Sequence, residues 1–251
     1  MLNLQHLSAG YGEKTILHDI SLNFPAGTVT AILGPNGCGK STLLRAAAGL
    51  IPLSAGTAAV EGPVARAIAY LPQSRPVPDM TAQQLVLHGR FPWLSWPRRY
   101  RESDIAIAKA AMDRLGIGEF ADRPLGELSG GTRQKCFLAM ALAQEAPTLL
   151  LDEPTSFLDV GHQLKLMALC RCLAAEGKAV ALVLHDLPLA LQWADRVAVM
   201  DQGRMLALGT PEEIWSSGVL DRVFGVKVRR LEGDGGTTYV CALPGNFEDP
   251  V

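Results

Sequence analysis

Residues 29–42 read Val29-Thr30-Ala31-Ile32-Leu33-Gly34-Pro35-Asn36-Gly37-Cys38-Gly39-Lys40-Ser41-Thr42. A compact apolar run halts at a glycine, a glycine-rich turn follows, and Lys-Ser-Thr opens a run of helix formers that ends at Gly49. The spacing predicts a buried strand over Val29–Leu33 and a helix over Lys40–Gly49, stopped by its terminal glycine. The turn between them matches G-x-x-x-x-G-K-[ST], a pattern that carries physical meaning in this strand-to-helix position. Its glycines let backbone N–H groups turn inward, and the helix N-terminus adds partial positive charge, so the loop can cradle phosphate oxygens. Lys40 can then reach β- and γ-phosphates, and the Ser41 hydroxyl can ligate Mg²⁺. Cys38 is expected to contribute its backbone, with an incidental thiol.

Outward from this loop, Leu149-Leu150-Leu151-Asp152-Glu153-Pro154 places two carboxylates just past another apolar run. In open parallel sheets, ligands bind beyond the carboxyl ends of the strands. Asp152 is therefore suited to the Mg²⁺ shell, directly or through water, and Glu153 to polarising a water for in-line attack on a γ-phosphate. An adjacent acidic pair points to hydrolysis, whereas transfer to a substrate would want a bound acceptor. Leu128-Ser129-Gly130-Gly131-Thr132-Arg133-Gln134 opens a long helix predicted over 129–144. Ser129 can cap it and the glycines expose N–H groups at its positive end, which fits a second anion site and equally a plain capped helix start.

The remaining pattern alternates strands and helices. Strands are predicted at Leu2–Leu7, Ile16–Phe24, Ala67–Leu71, Thr148–Leu151, Ala179–Leu184 and Arg196–Met200, the later ones as apolar runs typical of buried parallel strands. Helical patterns fall at Gly161–Glu176 and Leu187–Ala194. The alternation implies an α/β layered sheet with right-handed crossovers. From Thr81 to Gly126 the chain is strand-poor, with helical patterns at Thr81–Gly89 and Glu102–Leu115 around a proline-stiffened stretch, which suggests an inserted helical lobe. The tail from Gly218 is weakly patterned, with a turn at 233–236.

The chain has 251 residues, 48% apolar and 19% charged, with a formal net charge of −2. This suits one large domain, or one with a sub-lobe, and excludes a disordered chain and a broad nucleic-acid footprint. Cys38, Cys136, Cys170, Cys172 and Cys241 are too few and scattered for a disulfide framework, and Cys170-x-Cys172 lacks zinc-ligand spacing, so a reducing compartment is expected. The start lacks the basic and apolar regions of a signal peptide, and no apolar run approaches the ~18 residues of a membrane span. Work at a membrane would need a partner to hold the chain there.

Taken together, the order GPNGCGKST, YLPQ, LSGGTRQ, LLLDEP, SFLD, LVLHD resembles the nucleotide-binding subunit of an ATP-binding cassette transporter, over residues 2–225. The resemblance implies a P-loop NTPase fold with a parallel-sheet core, an N-terminal antiparallel β subdomain and a helical lobe inserted near 80–145. It implies one ATPase domain over 1–225 and a short tail over 226–251, too short for a separate regulatory domain. ATP and Mg²⁺ are the implied cofactors. ATP would be held by Gly34, Pro35, Asn36, Gly37, Cys38, Gly39, Lys40, Ser41 and Thr42, with Tyr11 stacked on adenine. Gln73 would join Ser41 and Asp152 around Mg²⁺ and sense the membrane partner, and His185 would contact the γ-phosphate, completing a catalytic set of Lys40, Gln73, Glu153 and His185. Ser129, Gly130, Gly131 and Thr132 would close on the γ-phosphate held by the opposite subunit, and Asp159 would cross the dimer interface. Other readings stand beside these: Tyr11 as a strand end, Gln73 as a surface residue, Asp159 as an N-cap, and His6, His18, His88 and His162 as surface or packing residues. Thr132 departs from the Gln or Glu frequent at its place. Pro188 either tightens the turn after His185-Asp186-Leu187 or takes a first-turn helix position.

One cradle and one signature per chain imply a dimer that sandwiches two MgATP, closes with ATP and opens after hydrolysis. Gly89-Arg90-Phe91-Pro92-Trp93 looks like a segment common in importers of iron chelates, haem and cobalamin, or is simply a stiff apolar loop. Thr155-Ser156-Phe157-Leu158-Asp159 with Gly161-His162-Gln163 looks like the same subgroup, as does the more widely shared Asp201–Arg204 and Gly209–Glu213 ending. Phe91, Trp93 and Trp96 are expected to be exposed, as a docking patch for a partner helix. The implied function is the ATPase of a binding-protein-dependent importer for a metal chelate: iron-siderophore or haem, then cobalamin. Its partners would be a second copy, a transmembrane permease dimer and, indirectly, a periplasmic or lipid-anchored binding protein, with no nucleic acid, at the cytoplasmic face of the inner membrane. The alternatives are an importer ATPase for bare zinc or manganese, and a soluble cassette ATPase in iron–sulfur cluster assembly. The stretch between Gln73 and Leu128 is too short for the coiled coil of a DNA-repair cassette.

Overall fold

In the computed structural model, which describes residues 1–156, 158–233 and 236–245, strand β3 (Val29–Leu33) lies at the heart of the main sheet. Its five residues are all buried, as are those of β6 (Thr148–Asp152) and β7 (Ala179–Val183). Strands covered on both faces can be apolar throughout, and this is why they stand out as runs in the sequence. With β5 (Ile68–Leu71), β8 (Arg196–Asp201) and β9 (Arg204–Gly209) they form a six-stranded sheet of order β5-β6-β7-β3-β8-β9. All neighbouring pairs are parallel except β8 and β9.

A second sheet is antiparallel, with β1 (Leu2–Tyr11) between β2 (Lys14–Phe24) and β4 (Leu53–Ala59). It covers the face of the main sheet that carries Ile32, Leu150, Ala181 and Val183, and helix α1 (Lys40–Ala47) is buried in the same cluster through Leu43 and Leu44. The opposite face, with Leu149, Leu151, Leu182 and Val197, packs against the helices. The architecture is the expected α/β cassette.

The helical lobe leaves and rejoins the core through paired segments, for Thr81 and Pro124 form an isolated antiparallel bridge. Helix α2 (Val64–Ala67) precedes it, and α3 (Ala82–His88) starts in a capping box between Thr81 and Gln84. Helices α4 (Glu102–Arg114) and α5 (Gly130–Ala143) complete the lobe. Arg90 is buried among them. Its Nε donates to Asp104 Oδ1 at 3.0 Å, and its Nη1 to Ala143 O at 2.9 Å and Glu145 Oε2 at 2.7 Å. One guanidinium thus ties the end of α3 to α4 and to the end of α5.

Four strands went unread in the sequence, each for want of a buried face. Strand β4 is mostly exposed and rich in small residues, and β9 alternates only between exposed and half-buried. In the tail, β10 (Lys227–Gly233) and β11 (Gly236–Ala242) form a hairpin whose Val228 and Tyr239 are the buried side chains. Helices α6 (Val160–Ala175), α7 (Leu187–Trp193), α8 (Pro211–Ser216) and α9 (Val219–Phe224) flank the sheet. Trp215 of α8 meets Tyr239 edge-on at 6.3 Å and donates to Val228 O at 3.0 Å, which docks the hairpin. Asp234 and Gly235 of the expected turn, and Phe157 of the subgroup stretch, lie outside the described residues.

Candidate nucleotide site

The loop after β3 has the backbone that its glycines predict. Gly37 and Gly39 sit at φ +78° and +107°, a region open to glycine at little cost. Gly34 is fixed by space instead: a Cβ there would lie 2.3 Å from Met200 O. Gly39 is the N-cap of α1 and supplies no side-chain cap, so the helix presents its first N–H groups to the loop's concavity. Lys40 is buried, and its Nζ donates to Gly34 O at 2.7 Å and Pro35 O at 3.0 Å, which holds the ammonium across the mouth of the loop. Cys38 turns its thiol into the apolar cluster beneath, and burial raises its pKa, so the thiol packs and does not react.

Asp152, at the end of β6, is buried and accepts from Ser41 Oγ at 3.0 Å and Tyr70 Oη at 3.3 Å. Burial raises its pKa and pushes that of Tyr70 up to about 12, so Tyr70 stays a neutral phenol that donates to the Asp152 carboxylate. Tyr70 had no assigned role in the sequence, although it opens the YLPQ stretch. Ser41 and Asp152 are hard oxygen donors side by side, a pair that fits Mg²⁺.

Glu153 holds φ +49°, a left-handed conformation that costs a non-glycine residue ~1 kcal/mol or more. Its carboxylate is the meeting point of three elements. Gln73 Nε2, after β5, donates to Oε2 at 2.5 Å, and His185 Nε2, after β7, lies 2.6 Å from Oε1. Ser156 Oγ donates to Oε2 at 3.3 Å. Gln73, Glu153 and His185 face Lys40, Ser41 and Thr42 across one cavity of about 480 Å³, whose near wall includes Asn36, Gly37 and Gly39. Asp186 caps α7 through Leu189 N–H, and Pro188 takes a position in its first turn.

Other predicted residues stand apart from this cavity within the single chain. Tyr11 ends β1 half exposed, its hydroxyl accepting from Arg45 Nη1 at 3.2 Å, while Ile16 lines the cavity on that side. Ser129 caps α5, its Oγ accepting from Thr132 N–H at 3.2 Å, and Gly130 borders a separate cavity of about 570 Å³. Asp159 caps α6, accepting from His162 N–H at 2.8 Å, and that hydrogen bond lowers its pKa.

A glycine loop feeding a helix from a central parallel strand, with an acidic pair at the end of the strand two places away in the same sheet, defines a P-loop nucleotide-binding cassette. The sequence pattern of the ABC transporter family matches residues 17–156, and the chain belongs to that family. Curated relatives bear out the resemblance drawn to its siderophore and haem subgroup. The ferric enterobactin transport ATP-binding protein FepC of Escherichia coli (strain K12) is 39% identical over 95% of this chain and 93% of its own length. The achromobactin transport ATP-binding protein CbrD of Dickeya dadantii (strain 3937) is 37% identical over 98% and 95%. The hemin import ATP-binding protein HmuV of Streptomyces coelicolor is 43% identical over 85% and 79%. A solved chain described as belonging to an inward-facing transporter of the metal-chelate type superposes with a TM-score of 0.86 at 27% identity, covering 97% of this chain and 98% of that one.

Proposed function

We propose that this chain is the ATP-hydrolysing subunit of an importer for a metal chelate, a ferric siderophore or haem, with cobalamin next. The observation that carries the ATPase reading is the convergence of Gln73, Glu153 and His185 on the cavity that also holds Lys40 and Ser41, and the cargo is drawn from the similarity to siderophore and hemin import proteins. Residues 34–42 bind the ATP phosphates, with Tyr11 at the adenine. Lys40 neutralises the β- and γ-oxygens, Glu153 takes a proton from the attacking water, and His185 and Gln73 position that carboxylate and the γ-phosphate. Ser41, Asp152 and Gln73 would hold Mg²⁺, which when bound supplies positive charge at the β- and γ-phosphates.

The functional unit is a dimer. Ser129, Gly130, Gly131 and Thr132 of one copy close on the nucleotide in the cradle of the other, and Asp159 lies at the interface between them. This accounts for a signature turn that does not line its own chain's cavity. The ATPase domain spans 1–225, with its helical lobe over 80–145, and 226–251 form a short tail. The dimer sits at the cytoplasmic face of the inner membrane on a permease dimer, which is served by a periplasmic or lipid-anchored binding protein. The exposed Phe91 and Trp96 at the lobe surface support docking of a permease helix there. The test is ATP-driven uptake into vesicles carrying the permease and this chain. Uptake of a ferric siderophore or haem that stops with Lys40→Ala supports the reading, and uptake of free zinc or manganese alone would overturn the cargo.

A further inference from the structure

Gln134, one turn into α5, is held from two sides. Its Oε1 accepts from Arg75 Nη2 at 2.6 Å, and its Nε2 donates to Pro154 O at 3.0 Å. Arg75 lies two residues after Gln73, and Pro154 directly follows Glu153. Gln73 is itself bonded to Glu153 at 2.5 Å. A ring therefore closes through Glu153, Gln73, Arg75, Gln134 and Pro154, back along the chain to Glu153. It joins the end of β6, the segment after β5, and the helix whose first turn carries Ser129–Thr132.

The residue types suit this position. The ring needs an acceptor toward Arg75 and a donor toward Pro154, and a primary amide offers both on one short side chain. A carboxylate would keep the first bond and repel the carbonyl. Arg75 is bound to the same helix twice, since its guanidinium carbon also lies 4.5 Å from the centroid of the Phe137 ring. Its Nη1 is enclosed without a hydrogen-bond partner among the described residues, and burial lowers its pKa to about 10. A half-buried cation with an unfilled donor is a poor device for stability alone. Behind Gln134 and Pro154, between α5 and α6, lies a cavity of about 260 Å³ walled by Leu71, Leu138, Leu158 and Leu166. This void interrupts an otherwise continuous apolar cluster of lobe and core, so close packing is incomplete beside the ring.

Resting on the ATPase reading above, we infer that Arg75 and Gln134 are positioning residues for hydrolysis: they fix the Ser129–Thr132 turn relative to Glu153 of the same chain. The turn that each copy offers to its partner's nucleotide is thereby set by the state of its own Gln73–Glu153 contact. Arg75 and Gln134 themselves do not line the cavity of residues 34–42, so nucleotide affinity is not their role.

The test uses the purified full chain, with steady-state ATPase and direct titration of a fluorescent trinitrophenyl-ATP. Arg75→Met and Gln134→Met should each lower kcat about tenfold while KM and the nucleotide Kd stay within about twofold. The double variant should be no slower than the worse single one, because the two residues act as a unit. Arg75→Lys should recover part of the rate. Should Gln134→Met fail to fold, Gln134→Glu, nearly isosteric, must show the same loss of kcat. Normal kcat in the single variants, or single losses that multiply in the double, overturns the inference while leaving the ATPase reading intact. A wild-type chain that neither binds nor hydrolyses ATP overturns that reading instead.

Discussion

Arg90 and Asp104 form a buried ion pair, Nε to Oδ1 at 3.0 Å, with 7% and 8% of their side chains exposed. The arginine belongs to the Gly89–Trp93 segment that resembles chelate importers, and its role within this chain is internal. It joins α3, α4 and α5 through Asp104, Ala143 O and Glu145. Removing one member of such a pair strands the other without solvent. Arg90→Ala should therefore cost about 3–5 kcal/mol in urea denaturation, far more than an exposed arginine would.

The same pair sets an acid response. The N–H of Arg101, and then Arg90, hold the Asp104 carboxyl below its usual range. A group with a depressed folded pKa contributes stability that is full above its unfolded value, ~3.9, and lost as pH falls through the folded one. Asp104→Asn should thus be less stable than wild type at pH 7, and the gap should narrow as pH drops below about 4. Denaturation midpoints across that range check it. A constant gap would mean that the charge of Asp104 is not what stabilises the lobe.

Backbone space at the phosphate loop gives a sharper test. Gly37 has open room for a Cβ and an unfavourable φ, whereas at Gly34 the added atom meets Met200 O at 2.3 Å. Neither carbonyl nor loop can yield without moving β8. Gly34→Ala should abolish nucleotide binding, while Gly37→Ala should weaken it by the ~1–2 kcal/mol cost of a left-handed alanine. Titration with ATP distinguishes the two.

The main sheet and the loop were legible because both are dictated locally. Apolar runs such as Val29–Leu33 need no partner to be recognised, and Gly34–Thr42 carries its conformation in its own glycines. What escaped was non-local. Arg90 and Gln134 fall within stretches the sequence singled out, but nothing there shows that α4 and α5 enclose the first or that Arg75 and Pro154 meet the second across the seam. Trp93, the third of the expected docking aromatics, is exposed as expected, and it is also anchored: its indole N–H is bonded to Gln144 O at 2.8 Å and its ring lies under Arg66 and Arg90, contacts that the sequence did not signal.

That difference among the aromatics predicts different phenotypes. Trp96 is 89% exposed and Phe91 49%, with Arg98 over the Phe91 ring. Phe91→Ala and Trp96→Ala should change stability by no more than about 0.5 kcal/mol, yet reduce co-purification with the permease, because buried aromatic anchors dominate interfaces. Trp93→Ala should lower stability as well, since it loosens the junction of α2 with the end of α5.

The most direct test of the chemistry is Glu153→Gln. The amide fits the same space and can still bond Gln73 and His185, but it has no basic oxygen to take a proton from water. ATP affinity should be retained, and kcat should fall by at least about 100-fold, the usual share of a general base. With hydrolysis blocked and the γ-phosphate kept, ATP should drive the variant into a dimer visible by size exclusion, and ADP should not. Adding Ser129→Arg places a bulky cation at the cap of α5, where Ser129 Oγ now accepts from Thr132 N–H. It should remove that dimer without changing ATP affinity in the monomer. A variant that keeps wild-type turnover would show that Glu153 is not the base. One that stays monomeric with ATP bound would refute the shared-nucleotide arrangement.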